Sequence, residues 1–430
     1  MRIGHFIKEE RIKQQMKQIY LAQDICSASY LSKIENNEIS PSKEILDLLL
    51  EKLSITIDSL NLTPPDIEDN NIKFELLEVY REVTINRDIE FAKEKIKYYY
   101  DNRFLFFNEE VIHTYNLTMI RLILSDKDNL QLLDLYLKPI QSDYHLLTSN
   151  ELYLLRKFEG IHFFHLNNYK EALIKFEEAL SIGYDKPEMS WEMADFYYMY
   201  SLANLSDNQY INALKFSEKS LKYFIENLQF RRAIECYTVQ AISYKMSNKY
   251  DEAINIYLKS ILIIEKIDLK EYKPLIFHNL GSLYSSLGDF TKAIEYYLKS
   301  LELKTKEHLI TIFSLIQVYS KINNKKEIIK WINLGLDMTE NDSYSVKYKY
   351  HFLFYKEIHS DENQKENVDL MSSIISFFEF KNDYRHAYKY CIKLGDVLIN
   401  RNMYKKASIF YKKAIDFKNK HLNHTYWEDI

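Results

Sequence analysis

A small–large–small pattern of side chains, spaced by four and then three residues, recurs along most of this 430-residue chain and constrains its fold more than any other feature. The clearest copy reads Phe277-x-x-Leu280-Gly281-x-x-Tyr284, then Gly288-Asp289-Phe290, then Ala293-x-x-x-Tyr297-x-x-Ser300. Intervals of three and four residues place side chains on one face of a helix, so each copy describes two helices joined by a short turn. The small residues let the two helices approach closely, and the large ones fill the groove toward the next pair. Further copies fall at Gly160, Phe163, Ala172, Phe176 and Ala179, and at Ala241, Tyr244, Ala253, Tyr257 and Ser260. A weaker copy uses Ser201, Ala213 and Ser220; later ones use Tyr319, Ile328, Ile332 and Gly335, and then Gly395, Ala407, Tyr411 and Ala414.

Composition narrows the fold class. The chain has seven glycines and six prolines against 36 tyrosines and 24 phenylalanines. Tight strand-joining turns and phosphate-cradling loops need glycine that is scarce here. Five of the seven glycines (Gly160, Gly281, Gly288, Gly335 and Gly395) sit at small or turn positions of the repeat. An all-α fold follows, with the aromatic side chains as packing. The spacing resembles that of tetratricopeptide (TPR) repeats, which implies a right-handed superhelix with a concave inner face. The stretches 72–150 and 341–380 match poorly and read as degenerate repeats, bringing the total to about nine hairpins with altered end units.

The first 62 residues follow a different plan. An amphipathic IGHFIKEERIKQQ is followed by Lys17-Gln18-Ile19-Tyr20-Leu21-Ala22, then Ile25-Cys26-Ser27-Ala28-Ser29-Tyr30-Leu31-Ser32-Lys33-Ile34-Glu35-Asn36, then Pro41-Ser42 and EILDLLLEKL. Ala22 is small where two helices must cross, and Ile25, Leu31 and Ile34 are spaced as core residues. This is the order of a five-helix helix-turn-helix domain. Ser27 is the expected N-cap of its recognition helix. Ser29, Tyr30 and Lys33 are expected in the major groove, flanked by Ala28 and Asn36, with Gln18 opening the preceding helix. Pro64 and Pro65 block helix continuation and mark the boundary, so 1–62 is expected as the head, 63–72 as a linker and 73–430 as the repeat domain. The segment resembles the Cro/C1 (XRE) type of helix-turn-helix, whose SYLSKIE-like recognition helix is written here as Ser29 to Glu35. It departs from that type at Cys26, where glycine is common and another residue would strain the turn.

The formal charge of −5 excludes a chain that coats nucleic acid along its length, and residues 1–60 carry eight Lys or Arg against nine Asp or Glu. DNA contact must therefore rest on a few placed bases (Arg2, Lys8, Arg11, Lys13, Lys17 and Lys33) and on helix N-termini. A docking or dimerisation module of the same fold is the competing account.

An XRE-type head joined to a long TPR array resembles the RNPP quorum-sensing regulators of Bacillota, and in length and hairpin number the NprR-like type. The resemblance implies a transcription regulator switched by a short linear peptide lying along the concave TPR face. A peptide presents unpaired backbone groups, so its receptor needs amides and hydroxyls on the first helices of the hairpins. The repeat template places Asp195, Tyr198, Thr238, Lys245, His278, Asn279, Ser282 and Gln317 there, with Asn279 the foremost candidate because an amide both donates and accepts. For any one of them a solvated polar side chain is the competing account. The same resemblance leaves open a Rap-like role in gripping a response regulator of a sporulation phosphorelay, and that of a phage or plasmid repressor. A homodimer or higher homo-oligomer is expected, since pairing two small heads multiplies selectivity.

No catalytic or cofactor motif emerges: there is no GxxxxGK[ST], HExxH or GxSxG, and neither an enzyme nor a cofactor is expected. His162 and His165, three apart, read as packed or solvated residues and not as metal ligands. Cys26, Cys236 and Cys391 form no CxxC pair and read as small buried side chains. No apolar stretch reaches the roughly 20 residues that span a bilayer, and the amino terminus lacks the apolar block of a signal peptide, so a cytoplasmic protein without a membrane partner is expected.

Overall fold

The computed structural model describes residues 3–36, 38–39, 41–55, 68–101, 108–183, 190–303, 309–339, 345–359 and 367–422, and every regular element among them is helical. The head contains α1 (Ile3–Lys13), α2 (Gln18–Ala22), α3 (Ala28–Glu35) and α4 (Lys43–Lys52). Then follow α5 (Glu68–Asn86), α6 (Ile89–Asp101), α7 (Glu109–Ser125), α8 (Leu133–Ser142), α9 (Ser149–His165), α10 (Tyr169–Ile182), α11 (Ser190–Ser206), α12 (Tyr210–Glu226), α13 (Phe230–Met246) and α14 (Tyr250–Lys266). The remainder is α15 (Lys273–Leu287), α16 (Phe290–Leu303), α17 (Leu309–Lys321), α18 (Lys325–Thr339), α19 (Val346–Ile358), α20 (Val368–Phe380), α21 (Tyr384–Asn400) and α22 (Tyr404–Leu422). Packing divides the chain into two units, Met1–Ile256 and Tyr257–Ile430, with the division inside α14.

In the first unit the head has an apolar core of its own, including Phe6, Ile7, Leu21, Ala22, Leu31, Ile34, Leu49 and Leu50. Four of the five expected helices lie among the described residues; the segment left for a fifth, 56–67, lies outside them, as do Pro64 and Pro65. Helix α5 begins at Glu68, inside the stretch 63–72 expected as a linker. Downstream, α5 packs chiefly on α7, and every residue of α7 from Val111 to Leu124 is buried. A helix encased on all sides carries no single apolar stripe. That is why 72–150 matches the repeat template poorly while still being helical.

Where the template is clear, its small positions are filled by neighbouring rings. A Cβ on Gly160 would lie 2.7 Å from the Phe176 ring, one on Gly281 2.6 Å from Tyr297, and one on Gly395 2.7 Å from Tyr411. Gly335 differs: its ring is Phe352 of α19, so this glycine admits the following helix instead of its own hairpin partner.

The turns between paired helices need a left-handed residue, and asparagine supplies most of them. Asn167, Asn208, Asn248, Asn382 and Asn402 have φ between 55 and 63°. In each case the tyrosine two residues on (Tyr169, Tyr210, Tyr250, Tyr384, Tyr404) donates its hydroxyl to the asparagine Oδ1 at 2.7–3.0 Å. Asparagine tolerates this backbone region better than other L residues, and the tyrosine bond ties the turn to the second helix. Gly288, at φ 83°, takes the same place in its hairpin.

In the second unit, His351 is 1% exposed and lies between the rings of Phe313 (4.3 Å) and Phe378 (4.7 Å), with Nδ1 against the Tyr390 hydroxyl. Burial, aided by the charges of His386 and Lys347, pushes its pKa down to about 2.

Two outcomes are expected. Gly281→Ala drives a methyl into the buried Tyr297 ring and should lower unfolding free energy by about 1–3 kcal/mol, whereas Gly288→Ala, with open space around its Cβ, should cost only the ~1 kcal/mol of a left-handed alanine; denaturant melts of the two compare them. For His351, the unfolded imidazole takes up its proton near pH 6.5 and the folded one does not, so its contribution is complete above that pH and is lost as pH falls toward 2. Between pH 6 and 4.5 the wild type should lose ~1.4 kcal/mol per pH unit more than His351→Leu, and parallel stability curves for the two would contradict this.

Candidate DNA-reading helix and ligand-facing residues

The recognition helix α3 begins as its sequence requires: Ser27 is extended (φ −71°, ψ 148°) and its hydroxyl accepts the Tyr30 N–H at 3.1 Å. The turn before it is not strained at Cys26. Its left-handed residue is Asp24, at φ 66°, a residue type that tolerates this region, so the expected departure from the XRE pattern has no backbone consequence. Along α3, Ser29, Lys33 and Asn36 are exposed and spaced by four and three, one stripe facing outward. Ala28 and Tyr30 are half-buried and pack against the head's core, which leaves them only an edge to offer.

The helix is held from behind by a buried carboxylate. Glu35, 1% exposed, receives Arg11 Nε on Oε1 at 2.6 Å and Arg11 Nη2 on Oε2 at 2.8 Å, and Arg11 Nη1 also donates to the Met16 carbonyl. Donating to Glu35 raises the Arg11 pKa above its ordinary value. Gln18 donates its amide to Glu35 Oε2 at 2.9 Å. Gln18, which opens α2 as expected, is therefore a strut between α2 and α3. Lys8 reaches Asn36 Oδ1 at 3.2 Å, so α1 braces the C-terminal end of the recognition helix at two neighbouring residues.

The ligand candidates separate by unit. In the first, Asp195 is wholly buried at the centre of an ion cluster: Lys157 at 2.8 Å, Arg232 at 2.8 Å and Arg87 at 3.1 Å. Burial alone would raise its pKa, but Lys157, Arg232 and Arg87 outweigh burial and hold the carboxyl well below the usual range. Lys157 also meets Glu192 at 2.5 Å, Tyr153 donates to Glu192 at 3.2 Å, and Arg232 donates to the Thr84 carbonyl at 2.6 Å. Tyr198 presents its ring to the guanidinium carbons of Arg87 (4.5 Å) and Arg232 (4.9 Å). Asp195 and Tyr198 are thus the middle of a packed polar core, with no open face for a peptide, and this corrects their sequence assignment. Thr238 donates to the Ile234 carbonyl of its own helix, and Lys245 is half-buried about two turns further on.

Sequence reasoning passed over Arg121, whose signal was a lone cation in the apolar run LTMIRLILS. It is 5% exposed, pairs with Ser125 Oγ at 2.5 Å, forms no ion pair among the described residues, and is pushed down in pKa by burial.

In the second unit the candidates converge. His278, Asn279 and Ser282 lie on α15 and Gln317 on α17, and these two helices pack together. His278 Nδ1 meets Thr311 Oγ1 at 3.0 Å, and Ser282 and Gln317 lie beside the Tyr297 and Tyr355 hydroxyls, whose upward pKa shift by burial they partly offset. Asn279 stands apart: it is half-buried and its Nδ2 has no hydrogen-bond partner among the described residues. A buried amide donor without an acceptor is an unmet demand that a ligand carbonyl would satisfy. His165 uses its Nε2 on the Leu124 carbonyl at 3.1 Å.

The helix-turn-helix family profile matches residues 7–60, and tetratricopeptide repeat profiles match 240–306 and 388–421. The chain is 28% identical over 418 residues to the transcriptional activator NprA of Geobacillus stearothermophilus, covering 94% of this chain and 100% of that one. It is 24% identical over 360 residues to response regulator aspartate phosphatase A of Bacillus subtilis, covering 79% and 87%. Among solved structures, the apo form of the quorum sensor NprR from B. thuringiensis superposes with a TM-score of 0.65 at 20% identity, covering 82% of this chain and 100% of that chain. A Rap protein complexed with competence and sporulation factor gives 0.65 at 16% identity, covering 84% and 100%. NprR in complex with its cognate peptide NprX gives 0.60 at 19% identity, covering 83% and 100%.

Removing one partner of the buried clamp should be costly. Glu35→Gln leaves the Arg11 guanidinium without its counter-charge and should destabilise the head by about 3 kcal/mol, read as faster hydrogen exchange of α1–α4 amides with little change in α15–α22. Lys33→Ala, on the exposed stripe, should leave that exchange unaltered.

Proposed function

We propose that this chain, whose helix-turn-helix head and TPR array resemble the activator NprA over 94% of its length, is an RNPP-type regulator that binds operator DNA through α3 and is switched by a short signalling peptide held along the first helices of its hairpins. The observation that carries this reading is the union, in one chain, of an outward stripe of Ser29, Lys33 and Asn36 with the unsatisfied amide of Asn279 among the polar residues of α15 and α17. Ser29 and Asn36 offer short donors and acceptors to base edges, and Lys33 offers a cation to a guanine edge or a phosphate. Asn279 receives a peptide carbonyl on Nδ2, and neighbouring Ser282, His278 and Gln317 stand ready to exchange their internal hydrogen bonds for bonds to the peptide backbone. Asp195 and Tyr198 drop out of the contact set, and Gln18 acts by positioning α3. The head is 1–62 with the repeat domain starting at α5, and two heads in a homodimer give the footprint that one cannot.

A second reading has an observation in its favour. The match to response regulator aspartate phosphatase A covers 79% of this chain and 87% of that protein, whose name joins it to response regulators. In that reading the array grips a response regulator in addition to steering the head.

Gel-shift titration on promoter DNA, with and without short peptides encoded beside the gene, tests the proposal. The wild type should bind in one peptide state, and Lys33→Ala should weaken binding and reduce the salt slope by about one unit while leaving peptide affinity intact. Asn279→Ala should weaken peptide binding in calorimetry by about tenfold and leave peptide-free DNA affinity alone. Absence of DNA binding in both peptide states would refute the DNA-reading part. If a chain lacking residues 1–62 retains the biological effect, the protein-gripping reading is the operative one.

A further inference from the structure

On α21, Arg385, Lys389 and Lys393 follow one another at intervals of four, which places three cations on one face of a single helix. Like charges at this spacing oppose helix formation, and burial makes the opposition worse. Lys389 and Lys393 are both half-buried. Among the described residues neither forms an ion pair, and neither does Arg385 or Lys321, which approaches from the end of α17. The carboxylates nearest the stripe are already engaged. Asp383 takes Lys347 Nζ at 2.7 Å and His386 Nδ1 at 2.8 Å, and Asp396 takes the Tyr411 hydroxyl at 2.6 Å.

Further positive or protonatable groups close in from the other elements. Lys393 Nζ lies 5.2 Å from the centre of the Tyr355 ring of α19. His359, at the end of α19, meets Ser320 Oγ at 3.1 Å and faces Lys393 and Lys325, while His421 of α22 faces Arg385 and Lys389. Burial, with these neighbouring cations, pushes Lys389, His359 and His421 below their ordinary pKa values, and burial pushes Lys393 down as well. A helix face that partly buries two ammonium groups beside a guanidinium, with Asp383 and Asp396 near but no carboxylate in ion-pair contact with them among the described residues, is short of negative charge and leaves a place for an anion.

We infer that the Arg385–Lys389–Lys393 face of α21, flanked by Tyr355 of α19, is an anion-binding site that takes an oxyanion group, a carboxylate or a phosphate. The site does not depend on the peptide-switch reading: free phosphate and an acidic side chain present the same chemistry to it.

Thermal unfolding of the full chain at fixed ionic strength tests this with two probes, inorganic phosphate and acetyl-triglutamate amide, with acetyl-triglutamine amide as the neutral control. The wild type should be stabilised saturably by at least one charged probe beyond what chloride gives, and not by triglutamine; which probe acts tells whether phosphate or carboxylate is the better fit. The Lys389→Met, Lys393→Met double variant should unfold at or above the wild-type temperature without added anion, because a like-charge conflict has been removed, and should bind the active probe at least about tenfold more weakly. Arg385→Gln, altering an exposed position, provides the same affinity readout with little risk to folding. Equal responses of wild type and variants, or no response of the wild type beyond chloride, would overturn the inference.

Discussion

The repeat region depends on one contact, made several times: an aromatic ring laid flat where a Cβ would be. Gly160, Gly281 and Gly395 each accept the ring of the second helix of their own hairpin at a distance no side chain could share. Close approach of two helices leaves no room for water, so burial of the ring and the dispersion contacts around it hold the pair together. The next hairpin then stacks on a surface whose shape the ring has already set. Gly335 shows the same device turned outward, admitting Phe352 from the helix that follows. The register of the array is therefore decided by a few glycines and rings, and the polar faces are free to vary for ligand recognition.

What could be read from the residues alone follows the range of the interaction concerned. Contacts within a hairpin span some 16 residues, as Gly160 to Phe176 or Gly281 to Tyr297 do, and their spacing is visible as a motif. The caps were equally local, with Ser27 three residues from the amide it accepts. The ion cluster was not legible, because Asp195 finds Arg87 108 residues away and Thr84 finds Arg232 148 residues away. Asp195 and Tyr198 thus looked like groove residues when only helix periodicity was consulted. The same limit applied to Gln18, whose partner Glu35 lies across the helix-turn-helix core.

The turns show a local signal that went unread. Five Asn-x-Tyr triplets sit between paired helices, each with asparagine left-handed and bonded to the tyrosine hydroxyl. The scarcity of glycine argues against strand-joining turns and phosphate-cradling loops. It also reflects that another residue type has taken over the turn, with the tyrosine bond offsetting part of the strain that asparagine accepts there. Part of the abundance of tyrosine is therefore turn chemistry as well as core packing.

The buried ion cluster bears on how the first unit holds α5, the helix nearest the head in sequence among the described residues. Tyr80 of α5 donates to Glu192 of α11, the Thr84 carbonyl receives Arg232 of α13, and Arg87, just beyond the end of α5, reaches Asp195 of α11 and Glu235 of α13. Buried charges are poor sources of net stability, since desolvation opposes much of the attraction, but they are demanding about geometry: a displaced partner leaves a charge uncompensated in a low dielectric. Apolar contacts would let α11 and α13 slide by fractions of an ångström against α5. These bonds do not, so α5 must follow any shift in those two helices, or the cluster must break.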